Sequence, residues 1–402
     1  MSRVRANKKF LVTTALLALC GTGLAEPSIE LRDYCPPGFE LSDANHCELQ
    51  SLYQNYESLR YAGVGGPKTG LPPARDGFSP QQIDLGRYLF FDPLLSGDNS
   101  VSCASCHHPD LGFSDGRTHS KGIGGAEVRR AAPSLWNVAF LSSFFWDARA
   151  SSLEEQMQGP LYDEKEMGSN PTRLIADIGG NKAYLKLFRE AYPGSEGPPS
   201  LDMIYTAIAA FQTSLISLNS RYDRYAHGYH DALTEDEKTG MNVFRSFVAR
   251  CAECHTPPLF TNQQIAVIGV PEPAGRPFDE GAESVFDNAG MRGGFKVPSL
   301  RNISRTAPYM HSGAFATLRD AAEFYTLGRG HALPDDEKRR VIVHWHIWEP
   351  NLTDTELDRL AEFMATLTDE SFKPQIPETV PSGLLPVGTF PEALTLQTSQ
   401  AN

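Results

Sequence analysis

In four stretches of this chain the apolar positions recur with a helical period, and three of the four open on a polar capping signature. Ser79-Pro80-Gln81-Gln82 offers a Ser N-cap, a Pro at the first helical position and a Gln to close the box, which predicts a helix start. Thr234-Glu235-Asp236-Glu237 is a second box and leads into Met241, Phe244 and Val248 at helical spacing. Thr353-Asp354-Thr355-Glu356 opens a helix with Leu357, Leu360, Met364 and Leu367 on one face. The fourth run extends from Leu201 to Leu218. Few stretches alternate with period two, so few strands are expected. After about Phe372 the chain is Pro-rich and then polar, the pattern of an extended tail. The pattern predicts a mainly α fold with long loops.

The N-terminus has a different pattern. Arg3, Arg5, Lys8 and Lys9 precede an apolar run from Phe10 to Leu19, with Gly23 and Ala25 at the −3 and −1 positions. This is a secretory signal, residues 1–25, with cleavage predicted after Ala25. The run is too short to span a bilayer, and no other is long enough, so the mature chain is expected to have no membrane span. Cys20 invites a lipid anchor, although Leu19 is a poor residue before a lipidated cysteine. Loss of the four cations in residues 1–25 takes the formal charge from −13 to −17. So acidic a protein will not seek nucleic acid through its phosphates, and it favours a basic partner.

The chemistry lies in Cys103-Ala104-Ser105-Cys106-His107 and Cys251-Ala252-Glu253-Cys254-His255. Two thiols three positions apart reach the two vinyl groups of one porphyrin, and the adjacent His then lies under the iron. Zinc also accepts paired cysteines, but it does not need a His directly after each second one. Two covalent haem c groups are therefore expected, with His107 and His255 as proximal ligands. Of 7 cysteines, Cys20 leaves with the signal and four hold haem. Cys35 and Cys47 remain and are predicted to pair as a disulfide in an oxidising compartment, the bacterial periplasm, with two free thiols as the alternative. Cys-Ala-x-Cys-His-x-Pro-x-Leu fits both 103–111 and 251–259, so two cytochrome c-like helical domains are expected. The organisation becomes a signal (1–25), an N-terminal extension (26–75), a haem-one domain (76–233), a haem-two domain (234–372) and a tail (373–402).

Several further segments carry a resemblance. Leu85-Gly86-Arg87-Tyr88-Leu89-Phe90-Phe91-Asp92 precedes haem one, and Leu111-Gly112-Phe113-Ser114-Asp115-Gly116 follows it. Phe145-Trp146-Asp147-Ala148-Arg149, Ser152-Leu153-Glu154-Glu155-Gln156 and Gly159-Pro160-Leu161 come next. Near haem two stand Phe295-Lys296-Val297-Pro298-Ser299-Leu300-Arg301-Asn302 and Thr306-Ala307-Pro308-Tyr309-Met310-His311. In combination, across roughly residues 78–370, the chain resembles the bacterial dihaem cytochrome c peroxidase and MauG superfamily.

The resemblance implies a peroxide-reacting haem one and an electron-transfer haem two. It implies that Trp146 relays electrons between the porphyrins. It also implies that Gln156, Pro160 and Glu166 form the peroxide-side pocket, with Glu166 as proton shuttle. Family peroxidases carry a detachable His in a Gly-His-Gly-Gly loop; here Gly122-Ile123-Gly124-Gly125 puts Ile123 there, and His119 is the nearest substitute. The second haem's sixth ligand falls at Tyr325, as in MauG-like enzymes, with Met310 as its rival. A phenolate favours oxidised iron more than a thioether does.

Two departures stand out. The family's calcium-binding Arg-Asn-Ala-Pro reads Arg130-Ala131-Ala132-Pro133, which leaves the carbonyls of Thr306 and Pro308 for one calcium ion. The surface Trp that MauG carries before its second haem motif is Ala249, so any protein partner is wired differently. Trp345 and Trp348 are relay candidates or packing residues of a local insertion. The implied function is a MauG-like oxidase in which hydrogen peroxide reacts at haem one, high-valent iron is shared with haem two, and aromatic residues of a protein substrate are oxidised. The alternative is a peroxidase drawing electrons from a small c-type cytochrome.

Overall fold

Residues 29–53 and 70–387 are described in the computed structural model; the predicted signal, residues 54–69 of the extension and residues 388–402 of the tail lie outside the described residues. Twelve α-helices and two two-stranded antiparallel sheets make up the regular structure of the described residues, so the fold is mainly α.

The helix starts follow from local chemistry. Helix α1 (Pro80–Phe91) has Ser79 and Gln82 exchanging hydrogen bonds with each other's backbone N–H. The short helix α2 (Cys103–Cys106) carries the first thiol pair. Helices α3 (Leu153–Tyr162), α4 (Pro171–Gly180), α5 (Lys182–Ala191), α6 (Leu201–Thr213) and α7 (Arg221–Ala226) follow. Helix α8 (Glu235–Arg245) begins at the Thr234–Glu237 box, α9 (Cys251–Cys254) carries the second thiol pair, and α10 (Glu283–Phe286) and α11 (Leu318–Phe324) are short. The last helix, α12 (Asp354–Ala365), begins at the Thr353–Glu356 box. Each such cap contributes about 1 kcal/mol.

Two expected helix ends move. The run from Leu201 stops at Thr213; Leu215, Ile216 and Leu218 continue as buried extended chain. The Asn137 side-chain amide there donates to the Ser217 carbonyl and accepts from the Ser217 N–H, which satisfies backbone that a helix would have satisfied itself. Val248 does not continue the stripe of Met241 and Phe244: α8 ends at Arg245, and Val248 is 46% exposed.

The two halves repeat one packing scheme. Gly86 of α1 lies so close to α6 that a Cβ there would stand 1.8 Å from the Ala207 carbonyl oxygen, beside Phe211. Gly240 of α8 lies against α12 in the same way, 1.9 Å from the Arg359 carbonyl oxygen and beside Phe363. Only glycine permits either crossing. Each pair is filled by three phenylalanines: Phe90, Phe113 and Phe211 in the first half, and Phe244, Phe260 and Phe363 in the second.

Strands β1 (Phe39–Leu41) and β2 (Cys47–Leu49) form a hairpin in the extension, and a disulfide joins Cys35 to Cys47. Strands β3 (Ile265–Val267) and β4 (Gly294–Lys296) form the other sheet. The tail is extended but pinned: Asn181 donates to the Pro381 carbonyl, Ser382 to the Asp92 carboxylate, and Lys373 pairs with Asp110. Among the described residues no helix is long and apolar enough to cross a membrane.

Candidate haem centres and the wall between them

Each thiol-bearing helix ends on its histidine, and each histidine is aimed by a carbonyl. His107 Nδ1 lies 2.9 Å from the Phe113 oxygen; His255 Nδ1 lies 3.1 Å from the Phe260 oxygen and 3.2 Å from that of Pro298. Phe113 and Phe260 both have left-handed backbones, φ 59° and 55°, an uncommon conformation for a bulky residue. That conformation turns each carbonyl toward its imidazole while the ring stays in the aromatic triad. With Nδ1 held, Nε2 is the atom left to ligate iron. Burial lowers the pKa of both histidines, so both are neutral and ligation-competent. Burial also pushes Cys103, Cys106 and Cys251 up to about 12, and raises Cys254. The Phe carbonyls escaped sequence reasoning, although Leu111-Gly112-Phe113 and Leu259-Phe260 follow their motifs at nearly equal distance.

Two cavities adjoin these histidines. The first, about 890 Å³, is lined by His107, Cys106, Trp146, Gln156, Pro160 and Glu166. It thus brings together the four residues assigned to the relay and the peroxide side. Gln156 and Pro160 sit on α3, where Pro160 has no N–H to give the Gln156 carbonyl. Burial raises the Glu166 carboxyl pKa, Asp163 adds to the rise and Arg149 opposes it. The Ile123 loop backs this wall: the Ile123 N–H donates to the Glu166 carbonyl at 2.9 Å, and its side chain presses on Gly168. Neither Ile123 nor His119 lines the cavity. His119 is buried, and its Nε2 has no hydrogen-bond partner among the described residues.

The second cavity is a narrow slot of about 240 Å³ with mostly apolar walls. Cys251, Cys254 and His255 line it together with both rivals for the sixth position, Tyr325 and Met310. Burial drives the Tyr325 phenol far up from its ordinary value, and the neighbouring Cys251 and Cys254 add to this. A phenol so placed ionises readily only if a cation takes its proton's place.

The cavities share a wall made of residues 131–134, Trp146, residues 296–299 and Arg301. Trp146 Nε1 donates to the Ala131 carbonyl at 2.8 Å. Arg301 is fully buried; its guanidinium binds Asp223 through two bonds of 2.6 and 2.7 Å and also donates to the Pro258 carbonyl. Asp223 accepts in turn from Tyr53 of the N-terminal extension.

These residues fit a haem in each cavity: an aimed neutral imidazole, a thiol pair and largely apolar walls. Among the described residues no three His, Cys, Asp or Glu side chains cluster to hold a bare metal ion, so the zinc alternative has no completed site. Thr306 and Pro308 line the second cavity, but the Ala131 carbonyl is taken by Trp146 and the Ala131 side chain brings no oxygen. The calcium site therefore has carbonyls and no identified carboxylate, and no step below uses it.

Comparisons with known proteins agree with this geometry. The di-haem cytochrome c peroxidase family matches residues 80–231. The methylamine utilization protein MauG of Methylorubrum extorquens is 33% identical over 337 residues, 84% of this chain and 90% of that protein. Cytochrome c551 peroxidase of Nitrosomonas europaea is 36% identical over 274 residues, 67% of this chain and 79% of that protein. A crystal structure of a MauG-like protein associated with microbial copper homeostasis is similar with a TM-score of 0.67 and 32% identity, covering 76% of this chain and 97% of that one. The dihaem peroxidase BthA of Burkholderia thailandensis gives a TM-score of 0.65 at 26% identity over 89% of this chain and 99% of that one. The chain belongs to the dihaem cytochrome c peroxidase and MauG family, and it is a haem-dependent oxidoreductase.

Proposed function

We propose that this protein is a periplasmic MauG-like oxidase that uses hydrogen peroxide to oxidise aromatic residues of a partner protein. The observation that carries the reading is Tyr325 in the second cavity, combined with Ile123 where a detachable ligand would otherwise stand. Cys103 and Cys106, and Cys251 and Cys254, hold the two haems as thioethers. The bound haems supply iron that accepts peroxide on one side and stores oxidising equivalents on both.

The chain's own residues do the rest. Glu166 takes the proton from one peroxide oxygen and returns it to the other, which O–O cleavage requires. Gln156 donates a hydrogen bond to the bound peroxide, and Pro160 shapes the wall beside it. Ile123 offers no lone pair, so nothing from its loop competes with peroxide. Trp146, in the shared wall, carries electrons between the cavities. Tyr325 gives haem two a hard oxygen donor. Replacing Tyr325 by Phe is expected to convert the second haem's low-spin spectrum to high-spin and leave the first unchanged. Unaltered spectra in that variant would remove the ligand assignment.

The partner meets the protein beside the second cavity. Trp345 and Trp348 are 64% and 44% exposed, and Phe247, the residue before Val248, is 89% exposed. Trp348 also lines the second cavity, and its Nε1 donates to the Val248 carbonyl at 3.1 Å, next to Ala249. An indole that spans cavity and surface is a route out. Trp348→Phe is expected to slow oxidation of the protein substrate about 10-fold or more while peroxide consumption in single turnover stays normal. Equal slowing of both would assign Trp348 to packing.

A peroxidase reading is favoured by the charge of the mature chain, formally −17 after loss of residues 1–25, which suits a basic cytochrome donor. Rapid peroxide-dependent oxidation of such a cytochrome would select it. Periplasmic placement rests on the signal pattern of residues 1–25 and on the Cys35–Cys47 disulfide.

A further inference from the structure

Two cationic side chains belong to the wall that both cavities share, and they are differently committed. Arg301 is neutralised by Asp223. Lys296 has no ion-pair partner among the described residues. Its Nζ donates to the Ser143 carbonyl at 2.6 Å, and among the described residues no carboxylate lies within ion-pair distance of it. Several acids of the wall are committed elsewhere: Asp147 and Asp279 to Arg130, Asp223 to Arg301, and Glu272 to His311. Burial alone pulls the Lys296 pKa down to about 8, with no opposing charge to hold it up. An ammonium has three donors, and one is used here. A withdrawn cation with hydrogen-bond donors to spare, over the Phe144 ring and on a residue that lines both cavities, is a site for a carboxylate that the described residues do not supply.

We propose that Lys296 Nζ is the counter-cation of a haem propionate at the wall between the two cavities, and that it sets the reduction potential of that haem. The propionate accepts the N–H donors that Ser143 leaves free. The position is rigid, because the Lys296 backbone N–H donates to the Trp146 carbonyl at 2.7 Å and Lys296 ends strand β4. The charge and the relay indole therefore share one anchor. A fixed positive charge beside a haem favours the reduced form, since it stabilises the added electron. Met, Gln or another neutral residue removes that preference, whereas Arg keeps it. The inference applies equally to an oxidase and to a peroxidase, so its failure leaves the functional reading untouched.

The test is a spectroelectrochemical titration of the full dihaem protein, with haem content checked first, for wild type, Lys296→Met and Lys296→Arg. The expected result is that Lys296→Met shifts the reduction equilibrium of one haem toward the oxidised form on the order of tenfold, about 59 mV for one electron. The other haem moves less, and Lys296→Arg stays near wild type. Unchanged potentials in Lys296→Met, or an equal shift in Lys296→Arg, would overturn the proposal. Should Lys296→Met fail to mature, resonance Raman of wild type against Lys296→Arg decides. A shifted propionate bending mode on one haem supports the contact, and identical modes overturn it.

Discussion

Replacing Glu166 by Gln is expected to slow the reaction with hydrogen peroxide by about 10²- to 10⁴-fold, the usual worth of a positioned proton shuttle. The substitution keeps the shape and a hydrogen-bonding end, so haem incorporation and spectra should survive. What is lost is the ability to take a proton from one oxygen and deliver it to the other. The pH profile gives a second, independent sign. Burial first, and Asp163 next, raise the Glu166 pKa above that of an ordinary glutamate. The carboxylate is the active form, so the wild-type rate falls as pH drops through this raised value, and the limb lies higher than a free glutamate would place it. In Glu166→Gln that limb disappears. Stopped-flow mixing of the oxidised protein with peroxide across pH measures both. A variant within about threefold of wild type with the limb intact would move the shuttle role to another residue.

The second large effect is structural. Replacing Asp223 by Ala is expected to destabilise the protein by about 3–5 kcal/mol, because it strands a fully buried guanidinium. Arg301 loses two charge-assisted bonds, Tyr53 loses its acceptor, and the Ser220 cap loses its partner. Burial pushes the Asp223 carboxyl up, but Arg301 and the bonds from Arg301, Tyr53 and Ser220 outweigh it and hold it below the ordinary range. A carboxyl lowered on folding contributes stability above the unfolded pKa of about 4 and loses it as pH falls through the folded value. Wild type should therefore weaken at acid pH through this group, and Asp223→Ala should lack that component. Denaturant unfolding at neutral and acid pH is the measurement. A loss below about 1 kcal/mol would mean that the network relaxes around the gap.

How much of this was legible in the sequence depends on distance along the chain. The three capping boxes were legible because a cap is decided within four residues, and the helices begin where Ser79, Thr234 and Thr353 place them. The resemblance picked out Trp146, Gln156, Pro160 and Glu166 as a group, and the first cavity collects all four from the loop before α3, from α3 itself and from the turn after it. Helix ends were less legible. Leu215 to Leu218 are as apolar as the helix before them, and only Asn137, far back in the chain, makes the extended form affordable to its backbone. The ion-pair network behind the wall was not legible at all, although Trp146 in that wall was. Tyr53 meets Asp223 across 170 residues and Arg301 meets it across 78, and no periodicity encodes such meetings. Lys296 read as one letter of a motif; that no carboxylate among the described residues pairs with it appears only when its surroundings are assembled. The tail read as a loose end because its ties to Asp92, Asp110 and Asn181 are equally remote.

The central claim is that both haem sites act together in an oxidase that needs no prior reduction. The measurement that tests it most directly is a peroxide titration of the oxidised protein followed by electron paramagnetic resonance and near-infrared absorption. The account predicts one high-spin and one low-spin ferric signal at the start, and their loss together on adding peroxide, with a new near-infrared band. Two low-spin signals that ignore peroxide until one haem is reduced would contradict it, and with it the readings of Ile123 and Tyr325.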